Sequence, residues 1–137
     1  AYGVRVHRHN SEIEQMLKKF TNKKIDFNFT PHLTPMFRGI LSAIYVDLEK
    51  GVTQSNIVKK LKSFYNKHYF VKILKPNTLL STNDVINTNN CYISVCKTKY
   101  KNKIIIFSVI DNLIKGGAGQ AIQNLNSKFN FPMKTGF

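Results

Sequence analysis

The chain has 137 residues, of which 42% are hydrophobic, so it is long enough to bury one hydrophobic core. It contains no apolar run near the ~18 residues of a membrane-spanning helix, and no charged start is followed by an apolar stretch. These features argue against a membrane or exported protein and predict one soluble, cytoplasmic domain over residues 1–137. The start at Ala1 rather than Met is consistent with an excerpt of a longer chain.

The formal net charge is +14, a value that invites comparison with proteins that bind nucleic acids. However, only three of the 21 basic residues are arginine, and the lysines are scattered along the chain rather than clustered. The chain is also rich in Asn, which suggests a drift of composition toward Lys and Asn. We therefore predict no nucleic-acid partner, and a basic nucleic-acid-binding domain is kept as an alternative.

The two cysteines, Cys91 and Cys96, have no second pair with which to complete a zinc site. They lie five residues apart in a predicted strand, which places them on opposite faces, so they are predicted to be reduced. Cys91 has no neighbouring His in the sequence and is interpreted as a packing residue rather than a nucleophile. No metal site is expected.

The first part of the chain is predicted to contain one helix and one strand. Ser11 and Glu14 fit a capping box, and apolar residues at helical spacing continue the helix to about residue 20: Ile13, Met16, Leu17 and Phe20. Apolar residues then alternate with polar ones over residues 25–30, which predicts a half-buried strand that ends at Pro31. Residues 32–39 are expected to form a loop.

The middle of the chain alternates between predicted strands and a helix. Residues 40–48 are apolar and predict a second, more buried strand. Thr53 is expected to cap a helix that runs to about Lys67, and residues 69–74 return as a strand. The stretch 76–90 is rich in Asn, Thr and Ser and predicts a connection with a short strand near Leu79.

The last part predicts a hairpin followed by a helix. Residues 91–97 and 104–110 form the two strands, joined by a turn whose lysines alternate toward solvent: Lys97, Lys99, Lys101 and Lys103. A helical stripe then begins at Ala118, after a crowded set of glycines. Together these elements predict an α+β fold, with a mixed, largely antiparallel sheet and helices packed on one face.

Three segments are rich in groups suited to binding or catalysis. His7, Arg8 and His9 precede a predicted helix N-terminus, where imidazoles can move protons and a guanidinium can hold an anion. Two prolines stiffen the loop that contains His32, and Arg38 directly precedes a strand. Each segment also has a structural interpretation, as a polar helix lead-in or a rigid surface loop.

The third segment, residues 111–120, combines Asn112 with small residues at a helix start. Such a start allows close backbone approach by a ligand, and its exposed N–H groups favour an anion; the residues concerned are Lys115, Gly116, Gly117 and Gly119. The spacing matches neither a phosphate loop nor a dinucleotide fingerprint, so a tight packing turn is the alternative interpretation.

Taken together, these segments resemble the N-acetyl-gamma-glutamyl-phosphate reductases. The matching stretches, in order, are His-Arg-His with Glu-Ile at residues 7–13, Thr-Pro-His-Leu-x-Pro-Met-x-Arg-Gly-Ile at 30–40, Asn-x-Cys at 89–91, and residues 111–126, which begin with Asp-Asn-Leu-x-Lys-Gly-x-Ala-Gly-Gln-Ala-x-Gln-Asn at 111–124. The last stretch is long and unlike any common short motif. The likeness extends to the end of the chain.

The resemblance implies the C-terminal domain of an enzyme related in fold to aspartate-semialdehyde and glyceraldehyde-phosphate dehydrogenases. Such enzymes use NADPH to reduce N-acetyl-glutamyl 5-phosphate to the semialdehyde, releasing phosphate, in arginine biosynthesis. A cysteine thiolate displaces phosphate, and hydride reduces the resulting thioester. The family's nucleophile lies in a Gly-Cys-Tyr-Pro-Thr segment after a dinucleotide-binding domain, and this sequence has neither. The chain alone is therefore expected to be inactive without that N-terminal domain.

The resemblance also implies roles for individual residues. His9 is the preferred acid/base, with His7 beside it, and Arg8, Arg38 and His32 are expected to bind substrate. Asn112 is expected to hydrogen-bond to the nicotinamide carboxamide. The NADP side of the site is expected to be lined by Lys115, Gly116, Gly117 and Gly119. Gly117 stands where the family usually has Ala.

These residues are expected to converge at one pocket, in a homodimer or homotetramer. A non-catalytic interaction or pseudoenzyme module that retains the fold is the alternative.

Overall fold

The computed structural model describes residues 1–23 and 25–137, which form two compact units, residues 1–36 and 37–137. The described residues contain the helices α1 (His9–Phe20), α2 (Gln54–Tyr65) and α3 (Gly119–Lys128), and the strands β1 (Ile40–Asp47), β2 (Val71–Ile73), β3 (Cys91–Lys97) and β4 (Lys103–Ile110). A 3₁₀ turn lies at Thr82–Asp84 and a π-turn at Ile114–Ala118. One domain over residues 1–137 stays a prediction.

The first unit contains α1, which begins two residues before the predicted position. The predicted capping box is wrong: the hydroxyl of Ser11 donates to the Arg8 carbonyl at 2.9 Å, and Glu14 pairs with Lys18 at 2.9 Å. The helix starts early because a hydrogen-bonded turn, in which the His7 N–H donates to the Gly3 carbonyl, leads directly into it. Ser11 therefore already lies inside the first helical turn.

The strand predicted over residues 25–30 is also wrong. No strand is assigned over residues 25–30 in the described part of the chain, although Phe27 and Phe29 are half-buried as the alternation predicts. A strand exists only where a neighbouring strand completes its ladder of hydrogen bonds. Among the described residues of the first unit there is no such neighbour.

The second unit is built on a four-stranded sheet in the order β1-β4-β3-β2. Strand β4 is antiparallel to both β1 and β3, with Ile110 opposite Ile40 on one side and Cys91 on the other, while the short β2 is parallel to β3. The predicted mixed, largely antiparallel sheet is confirmed, and so is the lysine-rich hairpin between β3 and β4. Strand β4 lies in the interior of the sheet because both its neighbours pair along most of its length.

The core forms where α2 packs on one face of this sheet. Val58 of α2 contacts Val95 of β3 and Ile104 of β4, and partly buried side chains surround them: Val46, Leu48, Ile57, Leu61, Ile73 and Ile106. Thr53 caps α2 as predicted, in a capping box completed by Asn56. Burying this apolar face is the main stabilising contribution to the helix.

Strand β1 occurs where the sequence predicts it, but the expectation that it is the more buried strand is wrong. Ile40, Leu41 and Ile44 are 43–49% exposed and Tyr45 is 76% exposed. The strand lies at the edge of the sheet and pairs only with β4 among the described residues. Its apolar composition therefore marks a surface strand with an open hydrogen-bonding edge.

The short strand predicted near Leu79 is wrong as well. The side chain of Leu79 is 83% exposed, and the connection is held by single hydrogen bonds, such as that from the Asn77 N–H to the Val95 carbonyl at 3.0 Å. Gln54 reinforces it from α2, donating to the Asn77 side chain at 2.9 Å and to the Val95 carbonyl at 2.7 Å.

No helix among the described residues has the length and hydropathy to cross a membrane.

Candidate functional site

The pairing of β1 with β4 brings two of the polar segments together. Because Ile40 lies opposite Ile110 in antiparallel register, the residues before β1 are adjacent to those after β4. Arg38 and Gly39 thus meet Asp111 and Asn112 at one end of the sheet. All four belong to the second unit.

Asp111 is the centre of this group and is fully buried. The Nη2 atom of Arg38 lies 2.8 Å from each carboxylate oxygen. Three backbone N–H groups also donate to the carboxylate: Asn87 at 2.8 Å, Leu113 at 2.9 Å and Ile114 at 3.0 Å. Burial by itself raises the pKa of Asp111, but the hydrogen bonds from Arg38 and the backbone together outweigh it and lower the pKa to about 2.

Arg38 is largely committed to contacts within the chain. Only 15% of its side chain is exposed, and its Nη1 donates to the Asn87 side chain at 3.2 Å. Its Nε is buried and has no hydrogen-bond partner among the described residues. The positive charge is therefore already balanced by Asp111.

Asn112 is held by the residue that follows Arg38. The Gly39 N–H donates to the side-chain oxygen of Asn112 at 2.6 Å. Because a backbone N–H can only donate, it fixes which end of the carboxamide is oxygen. The amino group of Asn112 is consequently the end that is left to donate to another molecule.

The glycine-rich turn follows as a π-turn, in which the Ala118 N–H donates to the Leu113 carbonyl at 3.0 Å. Gly116 and Gly117 are exposed, and a side chain at either position would meet no atom closer than 3.6 Å. Gly119 is different, because a Cβ there would collide with Asn89 and Ile114. Two glycines thus offer open backbone, and the third is required for packing.

Lys115, in the same turn, points back into the fold. Its ammonium donates to the Gln123 side-chain oxygen at 2.7 Å, and the Asn89 amide donates to the same oxygen at 3.1 Å. Partial burial lowers the pKa of Lys115, and the neighbouring Cys91 opposes this shift. These contacts tie the turn to α3 and to the segment before β3.

His7 and His9 lie together in the first unit. Their rings are 4.7 Å apart between centroids in an edge-to-face arrangement, and the Phe29 ring lies near both, 5.4 Å from His7 and 6.3 Å from His9. The His9 N–H donates to Nδ1 of His7 at 3.2 Å, which places the proton of a neutral His7 ring on Nε2. The Nε2 of His9 is 3.8 Å from the Glu12 carboxylate.

The two remaining candidates of the first unit are exposed. Arg8 occupies the N-cap position of α1 without a capping hydrogen bond from its side chain. The Nδ1 atom of His32 lies 3.1 Å from the Thr30 carbonyl, so a neutral ring would donate there and keep Nε2 as an acceptor. Both side chains are thus open to solvent.

The predicted site residues therefore fall into two groups. His7, Arg8, His9 and His32 belong to the first unit, and Arg38, Asn112 and the turn 115–119 belong to the second. Their convergence at one pocket stays a prediction.

Sequence reasoning missed the central role of Asp111. The available signal was an acidic residue directly after a buried strand, where an isolated carboxylate would be costly and a cationic partner is expected.

The cysteines and possible metal ligands complete the inventory of reactive groups. Both thiols are free; Cys91 Sγ lies 3.4 Å from the Ser108 hydroxyl, and Cys96 is buried. No cluster of three or more His, Cys, Asp or Glu suited to a metal ion occurs among the described residues. Cys91 stays interpreted as a packing residue.

Residues 1–112 match the family model described as semialdehyde dehydrogenase, dimerisation domain. The chain belongs to this family. Similar curated proteins carry the name of the family that the motifs resemble. N-acetyl-gamma-glutamyl-phosphate reductase from Thermoanaerobacter pseudethanolicus is 44% identical over 98% of this chain and 39% of its own length. The protein of that name from Vesicomyosocius okutanii is 48% identical over 93% of this chain and 36% of its own length. The chain thus spans well under half the length of these relatives.

Solved structures agree on the fold. The crystal structure of aspartate semialdehyde dehydrogenase II from Vibrio cholerae has a TM-score of 0.52, with 19% sequence identity over 71% of this chain and 29% of that one. At such low identity the likeness concerns the fold alone. The semialdehyde dehydrogenase fold predicted from the motifs is therefore confirmed.

Proposed function

We propose that this chain is the substrate-side part of an N-acetyl-gamma-glutamyl-phosphate reductase of arginine biosynthesis. The observation that carries the proposal is that a relative of this name is 44% identical to this chain over 98% of the chain. The reaction is the NADPH-dependent reduction of N-acetyl-glutamyl 5-phosphate to the semialdehyde, with release of phosphate. The thiol that attacks the acyl phosphate would come from the part of the enzyme outside this chain.

In this proposal the His7–His9 pair performs the proton transfers. His9 has one ring nitrogen near Glu12, and a carboxylate beside an imidazole can orient it and stabilise its protonated form. Neutral His7 presents an N–H at Nε2, which suits it to donate to a developing oxyanion. Arg8 and His32, both exposed, are proposed to hold the phosphate or carboxylate of the substrate.

NADP is proposed as the cofactor, and the second unit fits it in part. Asn112 has its side-chain oxygen occupied and its amino group left to donate, and Gly116 and Gly117 leave room for a ligand to approach the backbone. Lys115 and Gly119 are engaged in packing, so we propose that they shape the turn. When bound, the reduced nicotinamide supplies the hydride.

The exposed strand β1 supports a second proposal, that copies of the enzyme associate through this sheet as a homodimer or homotetramer. Apolar side chains up to 76% exposed and an open strand edge favour coverage by protein. In the assembled enzyme, Tyr45→Lys should lower the oligomeric mass measured by analytical ultracentrifugation. Leu79→Lys, at another exposed apolar position, should leave it unchanged; equal masses for both variants would contradict the proposal.

We propose a cytoplasmic location for the enzyme, although one similar protein, from Arabidopsis thaliana, is described as chloroplastic. A non-catalytic module is not favoured, because the chain retains the polar residues that the reaction would use.

The activity is tested by reconstitution. The chain is produced together with the remaining part of the Thermoanaerobacter pseudethanolicus relative, and the substrate-dependent loss of NADPH absorbance is measured. We expect turnover by the pair and none by either part alone. His9→Asn should lower kcat by about 10²–10⁴-fold, the usual contribution of an acid/base, and His68→Asn, the same change at an exposed position elsewhere, should not. A folded but inert pair would favour the non-catalytic module.

A further inference from the structure

We propose that Arg38 positions Asn112, through Asp111 and Gly39, and does not bind the substrate phosphate as a free cation. The identity of the ligand that Asn112 contacts rests on the proposed function. The contacts that link Arg38 to Asn112 lie within the second unit of this chain. The Arg-Gly pair before β1 thus has a role that differs from the one its sequence suggests.

The guanidinium of Arg38 has few N–H groups left to donate to a ligand. Its Nη2 bridges both oxygens of Asp111 at 2.8 Å, Nη1 donates to Asn87, and the buried Nε is inaccessible to solvent. A phosphate that bound Arg38 strongly would have to compete with the fully buried carboxylate of Asp111. Separating that pair would leave the buried Asp111 carboxylate without its cationic partner, which is strongly unfavourable.

Arg38 is linked to Asn112 through the backbone of Gly39. Asp111 holds the Arg38 side chain, and the next residue, Gly39, gives its N–H to the Asn112 oxygen at 2.6 Å. Gly39 has φ +114, and a Cβ there would lie 2.6 Å from Cβ of Thr82. Only glycine therefore fits this backbone. The Arg38–Asp111 ion pair and the Gly39–Asn112 hydrogen bond together fix the direction of the Gly39 N–H.

The consequence is a defined orientation of the Asn112 carboxamide. With the oxygen occupied by Gly39, the amino group is the end that can contact a ligand, so Asn112 is set to recognise an acceptor such as an amide carbonyl. Without Arg38, the loop before β1 would lose its attachment to Asp111, and the carboxamide could rotate. Arg38 thus acts on ligand recognition without contacting the ligand.

The structural part of this proposal is tested by hydrogen exchange, followed by NMR on the 137-residue chain. In Arg38→Met, the Gly39 amide should exchange about tenfold faster or more, relative to core amides such as Val95 that report global stability. Arg38→Lys, which keeps the charge, should fall between wild type and Arg38→Met and serves if the latter does not fold. Lys103→Met, which removes an exposed cation at the other end of the same strand pair, should have no effect on Gly39.

The functional part uses the reconstituted enzyme. Arg38→Met and Asn112→Ala should each raise KM for NADPH. The double variant should have a KM no higher than that of Asn112→Ala alone, because both changes remove the same interaction with the cofactor. An increase in KM for the acyl phosphate alone would overturn the proposal, as would unchanged exchange at Gly39. If even the wild-type pair is inert, the proposed activity fails, while the exchange result still decides whether Arg38 holds Gly39.

Discussion

Replacing Asp111 by Asn should destabilise the second unit strongly, although the side chain keeps its shape. Among the described residues, every group that hydrogen-bonds to the two carboxylate oxygens is a donor: Arg38 and three backbone N–H groups. The new amino group must therefore face a donor, and the Arg38 charge, 15% exposed, loses its counter-ion. Removing one member of a buried pair costs about 3–5 kcal/mol, a large fraction of the ~5–15 kcal/mol that stabilises a domain.

The same variant has a pH signature. The folded-state pKa of Asp111 is about 2, below its ordinary value of 3.8. Because the folded pKa is depressed, the ionised group contributes its full stability above pH ~4, and this contribution is lost as the pH falls from about 4 toward 2. A shift of this size corresponds to about 2 kcal/mol. In Asp111→Asn, the free energy of unfolding should not show this loss between pH 4 and pH 2.

The assay is urea denaturation of the 137-residue chain, followed by circular dichroism at neutral pH and again between pH 4 and 2. Asp47→Asn is the matched control, because its carboxylate is 71% exposed and its ion pair with Lys103 should contribute about 1 kcal/mol or less. If Asp111→Asn fails to fold, Arg38→Met should still fold with a smaller loss, since Asp111 then keeps its three backbone donors. Equal midpoints for the two Asn variants would refute the reasoning.

Three further predictions concern the fold, and each is measured as a change in the free energy of unfolding. Val95→Ala, at a fully buried position, should cost about 2–3 kcal/mol, and Leu79→Ala, 83% exposed, should cost almost nothing; similar losses would contradict the assigned core. Gly39→Ala should destabilise more than Gly51→Ala, because both glycines have positive φ but only Gly51 has open space around it; the reverse order would argue against the close packing before β1. Thr53→Ala should cost about 1 kcal/mol by removing the α2 cap, and no loss would mean that the capping box is not formed in solution.

Local patterns in the sequence predicted most of the elements. Helical spacing placed α1 and α2, and alternation placed the β3–β4 hairpin, because a helix and a hairpin satisfy their hydrogen bonds between residues close in sequence. The alternation over residues 25–30 failed because nothing local reveals whether a strand will find a partner. Likewise, apolar composition marked β1 as a strand but did not reveal that it lies at an edge, where the same side chains stay exposed.

The candidate site was predicted as a set of segments rather than as an arrangement. Arg38 was identified from its residue type and Asn112 from the family resemblance, but the pairing that joins their segments links residues about 70 positions apart, as Ile40 opposite Ile110. Without that register, Arg38 was expected to bind substrate, and the Asp111 carboxylate that pairs with it was not assigned a role. The hydrogen bonds that Lys115 and Asn89 donate to Gln123 could not be predicted locally either, because they form only when α3 packs beside the turn.

We propose that the histidine pair and the Asn112 turn serve one active site, which is completed by a thiol from the rest of the enzyme. A crystal structure of the reconstituted pair would test this most directly. We predict that His9, the Asn112 amino group and the thiol border the same cavity, with Arg38 still paired to Asp111 behind it. Separate surfaces for His9 and Asn112, with the thiol near neither, would contradict the assignment.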